Sequence, residues 1–399
     1  MLDKARWRLS AWYRRAFTRR REWLIRWSKG GILRGGNTAS EAALMARRGR
    51  EPVRGRGVSG NPPNRFERLR YGAVPDVNGE AFDPAPKTQF FKDASRSVIS
   101  YNESPDLGYE AGLNPYRGCE HGCIYCYARP YHEYLGFSAG LDFETKILVK
   151  ENAPELLRQC LSSPRWRPKV VTLSGVTDPY QPVELRTGLT RRCLKVFGEF
   201  RNPVQVITKN HLVTRDLDIL AELARLQAAA VCISLVTLDA SLSRIMEPRT
   251  SPPTRRLAAI EACARAGVPV KVLVAPAIPG LTDHEAPEIL AQAASAGARF
   301  AGYVVLRLPH GVASIFEEWL KRHLPERKEK ILKRVREMRG GRLYDSRFGI
   351  RLRGEGFFAE QTARLFNLAC RKAGLATEGP ELSTAAFCRV APRQRSLFE

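Results

Sequence analysis

The stretch Gly118-Cys119-Glu120-His121-Gly122-Cys123-Ile124-Tyr125-Cys126-Tyr127 places three cysteines within eight residues. Thiolates at this spacing wrap one metal centre, and three rather than four leave a position open on a tetrahedral or cubane centre. Structural zinc closes with four ligands, so it would have to recruit His121, His132 or a distant cysteine. A [4Fe-4S] cube suits the count better, because three thiolates hold three irons and the fourth iron takes an exchangeable ligand. Gly118, His121 and Gly122 make the stretch a polar turn, which speaks against three reduced cysteines packed without metal.

The Cys-x3-Cys-x2-Cys spacing, with Tyr125 just before the last cysteine, resembles the signature of the radical S-adenosylmethionine (SAM) enzymes. The resemblance implies that Cys119, Cys123 and Cys126 hold a [4Fe-4S] cluster. It further implies that SAM chelates the open iron and is cleaved by an electron from the cluster to a 5′-deoxyadenosyl radical.

Outward from the loop, short β-branched runs at Lys169–Ser174, Val204–Thr208, Ala230–Val236, Val268–Ala275 and Gly302–Leu308 alternate with helical patterns. The helices are expected at Pro154–Leu161, Leu189–Phe200, Leu217–Leu226, Thr254–Ala266 and Glu285–Ala296. Continuous apolar strands separated by helices mean a parallel sheet covered by helices, an α/β fold. With a strand before or around the cysteine loop there are about six βα units, fewer than the eight of a closed barrel. That count agrees with the partial (β/α)6 TIM-like barrel implied by the radical SAM resemblance.

Ligands of such folds sit at the carboxyl ends of the strands. There the sequence places Ser174-Gly-Val-Thr-Asp178, with Asp178 and Glu184 as carboxylates in a turn, then Thr208-Lys209, Ser234, and Glu247-Pro-Arg249. Any one of these could be turn chemistry. Together they offer an acceptor for the ammonium of a bound amino acid and a cation or hydroxyl for its carboxylate. The Thr177–Glu184 loop, the Thr208-Lys209 strand end and Glu247–Arg249 resemble the spore photoproduct lyase-like, or DNA-repair-photolyase-like, branch over Asn114–Leu308. That resemblance implies Tyr125 near the adenine, Asp178 near the SAM amino group, and Lys209 and Ser234 near its carboxylate or ribose, with Ser174 also in the SAM site. Tyr127 resembles a hydrogen-relaying tyrosine, against a plain packing role. Cys160 and Cys193 read as small core residues in helices.

The 399 residues are 44% hydrophobic and carry a formal net charge of +24. Residues 1–50 hold 14 basic and 3 acidic side chains, and Lys321–Arg342 hold 10 and 3. Such fields suit phosphate-rich polymers, so nucleic acid is an expected partner, against the alternative of a merely solvated basic face. Three regions are expected: a basic, largely disordered extension over 1–86, a barrel over 87–320 and a basic helical extension over 321–399. Within the first, Arg residues mixed with Trp7, Trp12, Tyr13, Phe17, Trp23 and Trp27 suit a short amphipathic helix, and Lys29–Pro86 is expected to form little core. A presequence or an over-extended start are rival readings of the first residues. The third region should carry helices at Pro325–Met338 and Phe357–Cys370 and end on an apolar hook, Ser396–Phe398.

No apolar run approaches the ~18 residues of a membrane span, and nine cysteines without a paired framework suit a reducing, cytoplasmic setting. The expected function is therefore a radical SAM enzyme acting on nucleic acid, supplied with electrons by a donor such as flavodoxin or ferredoxin. Its rivals are a non-catalytic, metal-stabilised nucleic-acid-binding protein and a radical SAM enzyme acting on a protein or small metabolite.

Overall fold

Strands that are apolar on both faces are buried on both faces only in a parallel sheet flanked by helices. The computed structural model, which describes residues 53–67 and 86–389, has this arrangement. Six parallel strands lie side by side in chain order: β1 (Ala111–Leu113), β2 (Val171–Leu173), β3 (Val204–Thr208), β4 (Ala229–Ser234), β5 (Val270–Ala277) and β6 (Phe300–Val305). Leu113 stands opposite Leu173, Leu173 opposite Val206, and Ser234 opposite Leu273. Ile99–Tyr101 adds an antiparallel edge to β1. The strands are followed in turn by α1 (Ala153–Ser162), α2 (Leu189–Phe200), α3 (Leu217–Arg225), α4 (Pro253–Arg265), α5 (Ala286–Ser295) and α6 (Gly311–His323). These are the six βα units expected of a partial barrel.

Local sequence explains the elements. In α2 the residues Leu189, Cys193, Leu194, Val196, Phe197 and Phe200 fall on one stripe and are all buried. Each large apolar side chain hidden in this way contributes about 1.5–3 kcal/mol. The central strand β4 is buried along its whole length. Cys193 is a core residue, and Cys160 is half-buried against the same core. The expected helices match α1 to α5 to within one residue.

Among the described residues β6 pairs with β5 and not with β1, so the sheet stays open as a partial barrel. The C-terminal region covers the open side. Ala376 bridges to β6, donating to the Arg299 carbonyl and accepting from the Ala301 amide. The Arg351 guanidinium holds Asp106, in the loop before β1, and the Gly349 amide donates to the same carboxylate at 3.0 Å. The helices α7 (Pro325–Glu337) and α8 (Phe357–Ala373) form as expected, with Ile331, Leu332, Val335 and Met338 buried.

Three features depart from the sequence reading. Gln89–Lys92, Lys146–Val149 and Tyr116–Arg117 form a second, three-stranded sheet. Glu184 opens a short helix, Glu184–Thr187, instead of standing in a turn. The third concerns the segment Val53–Asn64, where little core was expected but which packs against the cysteine loop. Val53 and Val58 are buried, and the backbone at Gly57 runs so close to the loop that a Cβ there would fall 1.8 Å from the Gly122 carbonyl oxygen. Glycine here serves close approach of two backbones, which composition alone reads as flexibility. Residues 1–52, including the expected Met1–Trp27 helix, and the Ser396–Phe398 hook lie outside the described residues. Among the described residues no helix is long and apolar enough to cross a membrane.

Candidate active site at the carboxyl ends of the strands

The cysteine loop follows β1 and turns twice through glycines with positive φ, Gly118 (78°) and Gly122 (69°). The loop's own amides meet only part of the need of its carbonyls, as Cys126 N–H does for the Cys123 carbonyl at 3.2 Å, and a buried carbonyl short of donors is costly. Arg129, fully buried, supplies the donors. Its Nε donates to the Cys123 carbonyl at 3.0 Å, its Nη2 to Gly122 at 3.2 Å, and its Nη1 to Ala139 and Gly140. Glu144, equally buried, balances the charge at 2.6 Å from Arg129 and accepts from the Gly57 amide with its other oxygen.

The other flank of the loop is held by the Met246–Arg249 segment. The Ile124 amide donates to the Met246 carbonyl and the Arg249 amide to that of His121, while Arg249 Nη1 donates to Glu120 Oε1 at 3.1 Å. Gln181 accepts from the Glu120 amide and donates to the Gly118 carbonyl. Glu247 is the centre of this flank. Its carboxylate accepts from the Tyr125 hydroxyl and from Arg256, and Lys209 Nζ lies 4.0 Å away. Arg256 in turn donates to the carbonyls of Ser234 and Ser251, tying the end of β4 to the loop.

Between the loop and the strand ends lies a cavity of about 270 Å³. Cys119, Cys123, Cys126, Tyr125, Tyr127, Ser174, Asp178, Lys209 and Ser234 all line it, so the three cysteines and the six residues expected around SAM and the hydrogen relay are brought to one place. Glu184 is not there: it is buried behind the site, accepting from Tyr116 and the Thr190 amide and pairing with Arg215.

Asp178 faces the cavity with its acceptor positions already taken. Oδ1 accepts from Thr208 Oγ1 at 2.7 Å and the Tyr180 amide at 2.9 Å, and Oδ2 accepts from the Lys209 amide at 2.8 Å and pairs with His121 Nδ1 at 3.4 Å. Burial works against charge on His121, but Asp178 and Cys119 hold its imidazole up, at about 10. Lys209 Nζ donates to the Ala275 carbonyl and lies 5.9 Å from the Tyr125 ring. Ser174 adopts a positive φ (149°), a strained conformation for a serine, and donates its hydroxyl to the Thr177 carbonyl.

Two roles carry no local sequence signal. Glu247 is buried behind the Tyr125 wall of the cavity, as the acceptor of the Tyr125 hydroxyl. Arg307, just beyond the end of β6, lies 4.8 Å over the Tyr127 ring, and its Nε is buried without a hydrogen-bond partner among the described residues. The Tyr127 hydroxyl donates to the Gly175 carbonyl at 2.6 Å.

Residues 113–293 match the radical SAM superfamily. An uncharacterised protein of Mycobacterium tuberculosis is 37% identical over 274 residues, covering 67% of this chain and 78% of that protein. An uncharacterised protein of Methanocaldococcus jannaschii is 27% identical over 199 residues, covering 50% and 71%. Among solved structures, a mutant of spore photoproduct lyase superposes with a TM-score of 0.54 at 17% identity, over 72% of this chain and 81% of that one. A mutant of the same lyase with bound AdoMet and dinucleoside spore photoproduct gives 0.53 at 16%, over 72% and 80%. That likeness shows a shared fold, and the expected family and its SAM and [4Fe-4S] requirement agree with the family match. With its residues 113–293 matched and a close relative aligned over most of its length, the chain belongs to the radical SAM superfamily and is an enzyme.

Proposed function

We propose that this enzyme holds a [4Fe-4S] cluster on Cys119, Cys123 and Cys126, binds SAM beside it, and abstracts hydrogen from an unactivated carbon of a nucleic acid. The observation that carries the reading is the convergence of the three thiols and the six expected SAM-site and relay residues on one cavity at the strand ends. The residues fit a cluster better than a zinc ion. Among the described residues no three His, Cys, Asp or Glu side chains converge on a point that a single metal ion could occupy. His121, one of the side chains zinc would have to recruit as a fourth ligand, is paired with Asp178.

Once reduced, a cluster of this kind supplies the electron that cleaves SAM to methionine and a 5′-deoxyadenosyl radical. The chain's own residues bind and orient. Lys209 offers a cation to the SAM carboxylate, Ser234 and Ser174 offer hydroxyl groups, and the Tyr125 ring, fixed by Glu247, forms a wall for the adenine. Asp178, saturated by four partners, positions Lys209 and His121, and its own contact with the SAM ammonium would require one of those partners to yield. Tyr127 lines the cavity as the hydrogen relay; its phenol, protonated at neutral pH and with its pKa raised further by its partly desolvated setting, has a hydrogen atom to give.

Nucleic acid as substrate is supported by the +24 net charge and by a fold shared with a lyase that binds a dinucleoside photoproduct. Anaerobic reconstitution with iron, sulfide, SAM and a reductant, followed by a screen of modified and unmodified DNA and RNA, tests it. A nucleic acid that raises 5′-deoxyadenosine release and acquires or loses hydrogen is the expected result. Stimulation by a protein or small-metabolite fraction alone would contradict it.

A further inference from the structure

Immediately after the cysteine loop, aromatic side chains stand in the open. Tyr131 and Tyr134, on the 3-10 turn Arg129–Leu135, are 54% and 52% exposed, and Phe66 on the neighbouring segment is 55% exposed. They are not scattered. Phe66 and Tyr134 have ring centroids 4.8 Å apart, and Tyr131 and Tyr134 are 6.4 Å apart. Tyr127, four residues before Tyr131 and 39% exposed, lines the cavity itself. Two of the rings carry a guanidinium on one face: Arg65, itself paired with the buried Glu133, lies 5.0 Å over Phe66, and Arg307 lies 4.8 Å over Tyr127, its Nε without a hydrogen-bond partner among the described residues. Contiguous exposed aromatic surface beside a catalytic cavity marks a binding face, and rings left open invite a flat partner.

We propose that Phe66, Tyr134, Tyr131 and Tyr127 form a stacking track for a single-stranded nucleic-acid segment, which delivers one nucleotide into the cavity. This rests on the nucleic-acid reading above and narrows it. Bases of a single strand expose the π faces that such rings stack on, whereas a duplex hides them. Arg307, which lines the cavity and whose Nε has no hydrogen-bond partner among the described residues, takes the phosphate next to the reacting nucleotide. The net charge of +24 gives the same sign of field over longer range.

The test is fluorescence anisotropy of the cluster-loaded full chain with labelled single-stranded DNA, single-stranded RNA and the matching duplex. Wild-type protein should prefer single strands. Tyr134→Ala should weaken single-strand binding roughly tenfold and leave duplex binding little changed, while Tyr134→Phe, which keeps the ring, should bind like wild type. Phe66→Ala should behave like Tyr134→Ala, with iron content and thermal midpoint confirming that each variant is folded. If wild type binds single strands and both alanine variants match it, the track is wrong and the nucleic-acid reading stands. If wild type binds no nucleic acid, that reading falls and takes the track with it. The DNA and RNA arms identify which polymer the track accepts.

Discussion

Replacing Gly57 by alanine should strip the protein of its cluster without touching a thiol. The new Cβ would fall 1.8 Å from the Gly122 carbonyl oxygen and 2.9 Å from Ile124 Cγ2, both in the cysteine loop. The first obstacle is backbone, so the two segments must part by roughly 1 Å, and overpacking of this kind costs about 1–3 kcal/mol. Separation also loosens the Gly57 amide from Glu144 and the Gly122 carbonyl from Arg129, adding about 1 kcal/mol for each hydrogen bond weakened. A total of about 3–5 kcal/mol is roughly a hundredfold to a few thousandfold in the population of correctly closed loop. The assay is iron and sulfide per chain after anaerobic reconstitution and desalting, together with the urea midpoint. Gly108→Ala is the control, because no atom lies within 4 Å of its Cβ. Gly57→Ala should load poorly and Gly108→Ala normally. Equal loading and equal midpoints would refute the packing of Val53–Asn64 against the loop.

Asp178→Asn turns one acceptor of a saturated carboxylate into a donor facing the Lys209 amide or His121, so SAM affinity, titrated through the cluster's spectral change, should fall at least about tenfold with iron content retained. Unchanged affinity would reduce Asp178 to a turn residue. Lys150 is buried, and burial and Arg117 lower its ammonium to about 8 from 10.5 despite Asp93. The unfolded chain therefore keeps a proton that the fold gives up between these values, and stability should rise with pH across that window by up to about 3 kcal/mol. Lys150→Met should remove the rise and stabilise the protein at pH 7, which urea titrations at a series of pH values will show; a persisting slope would contradict it. Deleting residues 1–50, with 14 basic and 3 acidic side chains, should preserve SAM cleavage while weakening nucleic-acid binding and flattening its salt dependence. The cut must stop before Val53, which is buried, and an unchanged salt slope would show that the arm has no such role.

The sequence was most legible where chemistry and periodicity are local. Three thiols within eight residues, strands of β-branched residues and helices such as α2, with its single buried stripe, carry their own signals. The strand ends then bring Ser174, Asp178, Lys209 and Ser234 together, because parallel strands in chain order converge their carboxyl ends. What escaped was set by partners distant in the chain. Tyr125 and Glu247 meet across 122 residues, and nothing near either announces the other. Asp178 and Glu184 read alike in sequence, yet one faces the cavity and the other is sealed behind it by Tyr116 and Arg215. The Gly-rich segment around Gly57 was misread because glycine marks close backbone approach as well as flexibility. Arg307 carries no local motif, and its importance appears only once β6 sets it over Tyr127.

The central claim, that the thiols of one loop hold the cluster that drives SAM cleavage, is tested most directly by comparing Cys123→Ala with Cys263→Ala. Cys123 lines the cavity, whereas Cys263 is buried in α4 within the hydrophobic core. Both variants are reconstituted anaerobically, and iron content, the electron paramagnetic resonance signal of the reduced cluster and 5′-deoxyadenosine release are measured on the same samples. Cys263→Ala should retain all three. Cys123→Ala should lose the [4Fe-4S] signal and the release of 5′-deoxyadenosine together, because two remaining thiolates cannot hold the cube. Equal cluster signal and equal 5′-deoxyadenosine release in the two variants would contradict the account.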